Sequence, residues 1–194
     1  MKIIILATTN AGKAREIQSL LGTSYMVQTL ADVGFDEEIA EDGATFRENA
    51  VIKAEAVRNS MAHDYDFILA DDSGLMIDAL DGMPGVRSAR WLGASTPYAE
   101  KNAKILEMMK DVPEELRTAR FACVMACVDK TGQLFIAEGT LEGRIAFEAA
   151  GENGFGYDPI FFLPEMDCTM AQIITDEKNR ISHRAQALQN IIMR

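Results

Sequence analysis

Asp71 and Asp72 are adjacent carboxylates at the end of an apolar run, Phe67, Ile68, Leu69 and Ala70, and are followed by Ser73, Gly74 and a second apolar run ending at Asp78. An apolar run bounded by turn formers reads as a buried strand, so the two acids stand at a strand end beside a Ser-Gly turn. Neighbouring side chains on a strand point to opposite faces, which gives the acids different jobs, one facing a cleft and the other holding the turn. Taken alone, the stretch reads equally well as an ordinary turn rich in Asp, Ser and Gly. Two other stretches carry complementary chemistry. Thr8, Thr9, Asn10, Ala11, Gly12 and Lys13 form a turn between a strand and a helix, which offers backbone N–H groups, a helix dipole end and an ammonium to phosphate. It is not a Walker A loop, because the first Gly is missing and Ala14 stands where Ser or Thr would bind Mg²⁺. Lys178, Arg180, His183 and Arg184 place four potential cations within seven residues, and Ser182-His183-Arg184 stands at a helix start, where the dipole disfavours cations unless an anion is present. Cations and N–H groups for phosphate, with carboxylates for Mg²⁺, together describe a triphosphate site. Mg²⁺ takes one or two carboxylates plus phosphates and waters, which suits Asp72 with Glu41.

The elements that must position these residues follow from periodicity. Residues 2–7 read as a buried strand, and a helix runs to about Leu21 with Ile17, Leu20 and Leu21 on its apolar face and Gly22 as its stop. Residues 25–30 read as a second strand. Five acids, Asp36, Glu37, Glu38, Glu41 and Asp42, then make a loop whose ordinary reading is a solvated charge run. Thr45 and Glu48 fit a capping box, which opens a helix with Phe46, Ala50, Ala54, Val57 and Met61 on its buried face. Thr45, Asn49 and Lys53 make a separate polar stripe at four-residue spacing, and Lys53 and Glu41 can reach one place. Beyond the central pair of runs lie a turn-rich loop at residues 81–85 and a helix opened by Thr96-Pro97, with Ala103, Ile105, Leu106 and Met109 inward. Residues 118–128 and 133–145 read as a hairpin around Asp129-Lys130-Thr131-Gly132. A glycine-rich stretch at 151–156 leads into Tyr157-Asp158-Pro159, and a last helix carries Ala185, Leu188, Ile191 and Ile192 inward. Strands alternating with helices, plus a hairpin, give an α/β domain with a mixed sheet over residues 1–194.

The whole chain narrows the partners. Its 194 residues suffice for one domain with a real core. A net charge of −11 argues against a nucleic-acid backbone as partner, since such binders carry basic faces, but leaves room for a small polyanion held by local cations. The N-terminal apolar run is too short for a signal segment, and no run approaches the roughly 20 residues of a membrane span. The three cysteines contain no CxxC pair. Cys123 and Cys127, about 13 Å apart at strand rise, cannot share a metal, which points to reduced, structural thiols in a cytoplasmic protein.

Ordered blocks along the chain carry a resemblance. They comprise Thr8-x-Asn10-x-x-Lys13-x-x-Glu16, then Glu41-Asp42-Gly43-x-Thr45-Phe46-x-Glu48-Asn49-Ala50-x-x-Lys53-Ala54, and Ala70-Asp71-Asp72-Ser73-Gly74-Leu75. Pro84-Gly85-Val86-x-Ser88-Ala89-Arg90, Gly154-Phe155-Gly156-Tyr157-Asp158-Pro159-Ile160-Phe161 and Glu177-Lys178-Asn179-x-Ile181-Ser182-His183-Arg184 follow. In these the chain resembles the inosine triphosphate pyrophosphatase family, enzymes that remove nonstandard purine nucleotides. The resemblance implies an elongated mixed sheet flanked by helices, with two lobes and a central cleft, and a homodimer. It also implies a Mg²⁺-dependent hydrolase that cleaves ITP, dITP and XTP between the α and β phosphates to a monophosphate and pyrophosphate. By the same resemblance Asp72 is the proton acceptor and a Mg²⁺ ligand, and Glu41 the second ligand. Thr8, Thr9, Asn10, Ala11, Gly12, Lys13, Lys53, Ser73, Lys178 and His183 would hold the nucleotide, and Phe155, Gly156, Tyr157, Asp158 and Arg184 would contact the base. The chain departs from the family at Trp91, Met170 and Gln172, none of them a carried-over site.

Arg is a pure donor, so Arg184 suits the 6-keto oxygen of hypoxanthine or xanthine and opposes the 6-amino group of adenine. This accounts for rejecting ATP and not for rejecting GTP, which also has a 6-keto group. Three rivals make different predictions. An aspartyl-phosphate phosphatase needs a DxD pair in place of adjacent aspartates. A nucleotide-binding protein without catalysis would bind ITP unchanged. A relative acting on modified pyrimidine triphosphates would separate on a substrate panel.

Overall fold

The computed structural model describes residues 1–60 and 65–192 of the chain. Met61, expected on a buried helix face, lies outside the described residues, as does the side chain of Ile192. Seven strands form one sheet in the order β2-β1-β3-β4-β5-β6-β7, with β1 Lys2–Leu6, β2 Tyr25–Thr29, β3 Phe67–Ile77, β4 Thr118–Asp129, β5 Leu134–Ile145, β6 Phe161–Leu163 and β7 Cys168–Thr169. β1 runs parallel to β2 and β3, while β6 is antiparallel to both β5 and β7, so the sheet is mixed as expected. Among the described residues five α-helices accompany it: α1 Ala11–Leu21, α2 Phe46–Ser60, α3 Tyr98–Met108, α4 Thr175–Ile181 and α5 His183–Ile192. The chain divides into two compact units, residues 1–72, 123–139 and 184–194 in the first and residues 73–122 and 140–183 in the second. Among the described residues no helix is long and apolar enough to cross a membrane.

In the first unit, strand alternation sorts the apolar side chains into two cores. Ile5 of β1 and Ala7 just after it, Ile68 and Ala70 of β3, and Val124, Ala126 and Val128 of β4 pack with Ala50, Ala54 and Val57 of α2. Their neighbours Ile4, Leu6, Leu69, Cys123, Met125 and Cys127 pack with Ile17 and Leu21 of α1 and Ala187 and Leu188 of α5. The helix that the capping box announces is in place, with Glu48 N–H on Thr45 Oγ1 at 3.1 Å and Thr45 N–H on Glu48 Oε2 at 3.0 Å. Cys123 and Cys127 are buried free thiols. Burial, with Asp71 and Asp129 nearby, pushes each thiol up to about 12, so both are inert packing residues.

The second unit has its own core, where Leu75, Ile77, Ile105, Met109, Phe121 and Phe161 meet. Here two expectations fail. The Ser73-Gly74 turn is absent, because β3 runs unbroken through Asp71, Asp72, Ser73 and Gly74. Gly74 is needed for close approach instead. A Cβ there would lie 2.3 Å from Ser88 Oγ and 2.4 Å from the Gly85 carbonyl, so the glycine admits the 85–88 turn against the strand. The second failure concerns α3, which begins at Tyr98 with Pro97 as its cap. Ala103 is exposed, and the inward positions are Lys101, Asn102 and Ile105. The polar pair can be buried because each finds a carbonyl, Lys101 Nζ on Ala89 O at 2.6 Å and Asn102 Nδ2 on Gly156 O at 3.1 Å. Arg117 is buried in the same way, donating to the carbonyls of Ile145, Met109, Val112 and Ala146.

Replacing Gly74 by Ala should lower stability by about 1–3 kcal/mol, the usual cost of overpacking, and thermal unfolding should show a clear loss of Tm. An unchanged Tm would mean that the 85–88 turn gives way freely.

Candidate active site

The alternation that sorts the two cores also separates the two aspartates. Asp72 continues the face of Ile68 and Ala70 toward α2, and Asp71 continues the face of Leu69 toward α1 and α5. Asp72 Oδ2 accepts from Asn49 Nδ2 at 3.1 Å, and its Oδ1 lies 3.6 Å from Lys53 Nζ. The same ammonium is 3.2 Å from Glu41 Oε2. The polar stripe of α2 thus points at Asp72, and among the acids of its loop Glu41 is the one that this lysine engages. Burial raises the Asp72 pKa above the ordinary carboxylate value, against the lowering by Lys53, Lys13 and Asn49. Burial also works against the Lys53 ammonium, but Asp71, Asp72 and Glu41 outweigh it and hold its pKa above the usual lysine value.

Asp71 is fully inside and surrounded by cations. Lys13 Nζ sits 3.1 Å from Oδ2, and Arg184 Nε and Nη2 each sit 3.4 Å from the same oxygen. Arg184 Nη1 is paired with Glu16. Burial alone would raise the Asp71 pKa, yet Lys13, Arg184 and Lys53 together hold it well below the carboxylate range. Arg184 is only 2% exposed. Burial disfavours its charge, while Asp71 and Glu16 raise its pKa beyond the usual arginine value.

The 8–13 stretch is more of a helix cap than a turn. Asn10 is the N-cap of α1, and its Oδ1 accepts from Gly12 N at 2.9 Å and Lys13 N at 3.1 Å. Two of the N–H groups that the sequence offers to phosphate, those of Gly12 and Lys13, are therefore taken by Asn10, and an anion here would compete for them. Thr8 Oγ1 accepts from Asn10 N, Thr9 and Ala11 are exposed, and the Lys13 ammonium projects to Asp71.

In the second unit Lys178 Nζ is 2.5 Å from Asp158 Oδ2 and 4.8 Å from the centre of the Phe155 ring. Asp158 Oδ2 also accepts from Phe155 N at 2.8 Å. Gly154 has φ +73, and a Cβ there would lie 2.1 Å from Asp158 Oδ2, so the cradle requires glycine. His183 is buried with its ring stacked on Phe121 at 4.9 Å. Ser73, the next residue of β3 after Asp72, is half-buried. Tyr157 faces inward, its hydroxyl donating to Ser88 O at 2.8 Å.

A profile of the Ham1 family matches residues 4–194. The chain belongs to the Ham1 family. It is 47% identical over 98% of its length to a dITP/XTP pyrophosphatase of Bacillus subtilis, 96% of which is matched. It is 46% identical to the dITP/XTP pyrophosphatase of Exiguobacterium sibiricum, over 98% of this chain and 95% of that protein. The structure of a HAM1 protein from Coxiella burnetii superposes with a TM-score of 0.86 at 40% identity, over all of this chain and 98% of that one.

Two features of this Ham1 chain had a sequence signal that went unused as a site. Asn49 lies in the polar stripe of α2, and Glu16 closes the first motif block, yet both are partners of the buried charges. Asn102 gave no signal, since a lone Asn on a mixed helix face looks solvated. The donors around Lys53 are carboxylate oxygens, the hard ligands that Mg²⁺ prefers. No cluster of three or more His, Cys, Asp or Glu able to hold a metal occurs among the described residues. Glu41 and Asp72 are the carboxylates around Lys53 that could hold a metal together with substrate and water.

Asp71→Asn should destabilise the metal-free protein by about 3 kcal/mol or more at pH 7, because it leaves Lys13 and Arg184 without their shared counter-charge. Asp71 has a depressed folded pKa, so its stabilisation is complete above the unfolded value and is lost as pH falls toward the folded one. Urea unfolding with a chelator present should show the gap to wild type closing below about pH 4. A gap that stays constant with pH would contradict this charge assignment.

Proposed function

We propose that this protein hydrolyses the α–β phosphoanhydride of nonstandard purine nucleoside triphosphates, ITP, dITP and XTP, with Mg²⁺ held by Glu41 and Asp72. The observation that carries the reading is the Asp72–Lys53–Glu41 arrangement with Asn49 on the second Asp72 oxygen. The dITP/XTP pyrophosphatases to which the chain is 46–47% identical support the substrate class. Bound Mg²⁺ supplies charge neutralisation to the triphosphate.

Asp72 is the proton acceptor in this reading. Asn49 Nδ2 on its Oδ2 fixes its orientation. A water oxygen bonds to the α-phosphorus, its proton passes to Asp72, and the bond to the β-phosphate oxygen breaks to release pyrophosphate. Lys13 and Lys53 place positive charge for the phosphates, with Thr8, Thr9, Asn10, Ala11, Gly12, Ser73, Lys178 and His183 as further nucleotide contacts. Phe155, Gly156, Asp158 and Arg184 are assigned to the base. Arg184 is suited to this by its carboxylate partners, which fix the direction of its planar fork. Tyr157 serves the same loop from within. We assign residues 1–194 to one catalytic domain acting as a cytoplasmic homodimer.

Incubation with ITP and Mg²⁺ should yield IMP and pyrophosphate; IDP with orthophosphate would refute cleavage between α and β. Asp72→Asn should lower kcat by about 10²-fold or more, the usual contribution of a general base, while the circular dichroism spectrum stays that of wild type. A variant within a few-fold of wild type would remove Asp72 from the chemistry. For Arg184, the Lys variant keeps the charge but loses the fork, so the preference for ITP over ATP should narrow. An unchanged preference would take base reading away from Arg184.

A further inference from the structure

Base contacts assigned to Phe155 and Asp158 are only as exact as the backbone that presents them, and that backbone is unusual. Gly154 and Gly156 have φ +73 and +71, a region that glycine enters without steric cost and also leaves easily. Between them Phe155 is tied by its N–H to Asp158. The peptide carbonyl of Gly156 is held from outside the loop, by Asn102 Nδ2 of α3 at 3.1 Å. The same helix turn holds a second loop, since Lys101 Nζ donates to Ala89 O at 2.6 Å and lies 4.9 Å from the centre of the Tyr98 ring. The two held loops are joined by Tyr157, whose hydroxyl donates to Ser88 O and whose ring meets Tyr98 edge-on at 5.2 Å.

Asn102 is an expensive way to fill space. It is 5% exposed, and its Oδ1 is buried with no hydrogen-bond partner among the described residues. Burying an unpaired acceptor costs about 1–3 kcal/mol, which an apolar side chain at this position would avoid. The half of the amide that is used is the donor to Gly156. The opposite amide orientation would set oxygen against oxygen and is excluded.

We propose that Asn102 is a specificity-determining positioning residue, which fixes the Gly156 carbonyl so that the 154–158 loop presents Phe155 and Asp158 to the purine base. The proposal rests on the pyrophosphatase reading above. Without the Nδ2–Gly156 bond the two left-handed glycines relax, and misplacement of a contact by about 1 Å costs on the order of 10²-fold in rate.

The test measures kcat and KM for ITP, XTP and GTP in wild type, Asn102→Leu and Asn102→Ala, with melting curves to give the folded fraction. Both variants should fold. Their kcat/KM for ITP should fall by about tenfold or more, mainly through KM, and the ITP:GTP preference should shrink by a similar factor. Folded variants with equal losses on every base, or with the wild-type ITP:GTP ratio, would overturn the proposal. So would failure of both variants to fold, which would make Asn102 a residue of the core. A wild-type protein that leaves ITP intact would instead refute the pyrophosphatase reading, before any variant is compared.

Discussion

The two-residue period of β3 is the constraint from which the rest follows. Because Phe67–Ile77 is one unbroken strand, Asp71 and Asp72 must leave it on opposite faces. Each then enters a different layer, Asp72 under α2 and Asp71 between α1 and α5. A turn at Ser73-Gly74 would have released both acids to solvent as similar groups. A strand instead buries them and makes them unlike. The apolar residues before them enforce the register. Slipping β3 by one residue would carry Ile68 and Ala70 out of the α2 core and reverse both aspartates at once.

Burial on the Asp71 side is tolerable only because the charges are assembled as a set. Lys13 from α1 and Arg184 from the first turn of α5 meet one carboxylate oxygen, and Glu16 balances the guanidinium. Such a set adds little net stability over an apolar packing of the same shape, yet losing one member is costly. Its effect is geometric. It ties β3, α1 and α5 together at the strand position next to Asp72, and it sets the direction of Lys13 and Arg184. The second unit solves the same problem with carbonyls, which take up the buried charges of Arg117 and Lys101.

What the sequence made legible depended on whether a signal was periodic. The first strand, the capped α2, the hairpin and the apolar face of α1 were readable because each rests on local spacing, and the Asn49–Lys53 stripe even pointed to its face. Gly74 was misread because a glycine beside serine looks like a turn, whereas its cause is the distant Ser88. Ala103 was misread because α3 buries Lys101 and Asn102, and the carbonyls that make this possible belong to loops 12 and 54 residues away. The N–H groups at the start of α1 were counted as open because capping by Asn10 was not weighed. At the site, residue types were legible in the motif blocks, but the pairing of Arg184 with Glu16 and Asp71 was not, since it spans most of the chain.

The adjacent aspartates titrate in opposite directions, and the source of each environment explains why. Asp71 draws on cations from three helices, Lys13 of α1, Arg184 of α5 and Lys53 of α2, enough to outweigh complete burial. Asp72 is lowered by Lys53, which also engages Glu41, and by Lys13, yet burial prevails. Two identical groups pushed apart by their surroundings is the pattern that separates an inert charge from a working acid or base. The partners of Asp72 also have a common origin: Asn49 and Lys53 are one turn apart on α2, and Glu41 lies just ahead of the capping box that starts the same helix. A small displacement of α2 would therefore retune Asp72, Lys53 and Glu41 together, and leave the contacts of Asp71 with Lys13 and Arg184 in place. Asp71 is held by side chains of several elements, whereas the Asn49 and Lys53 contacts of Asp72 both come from α2.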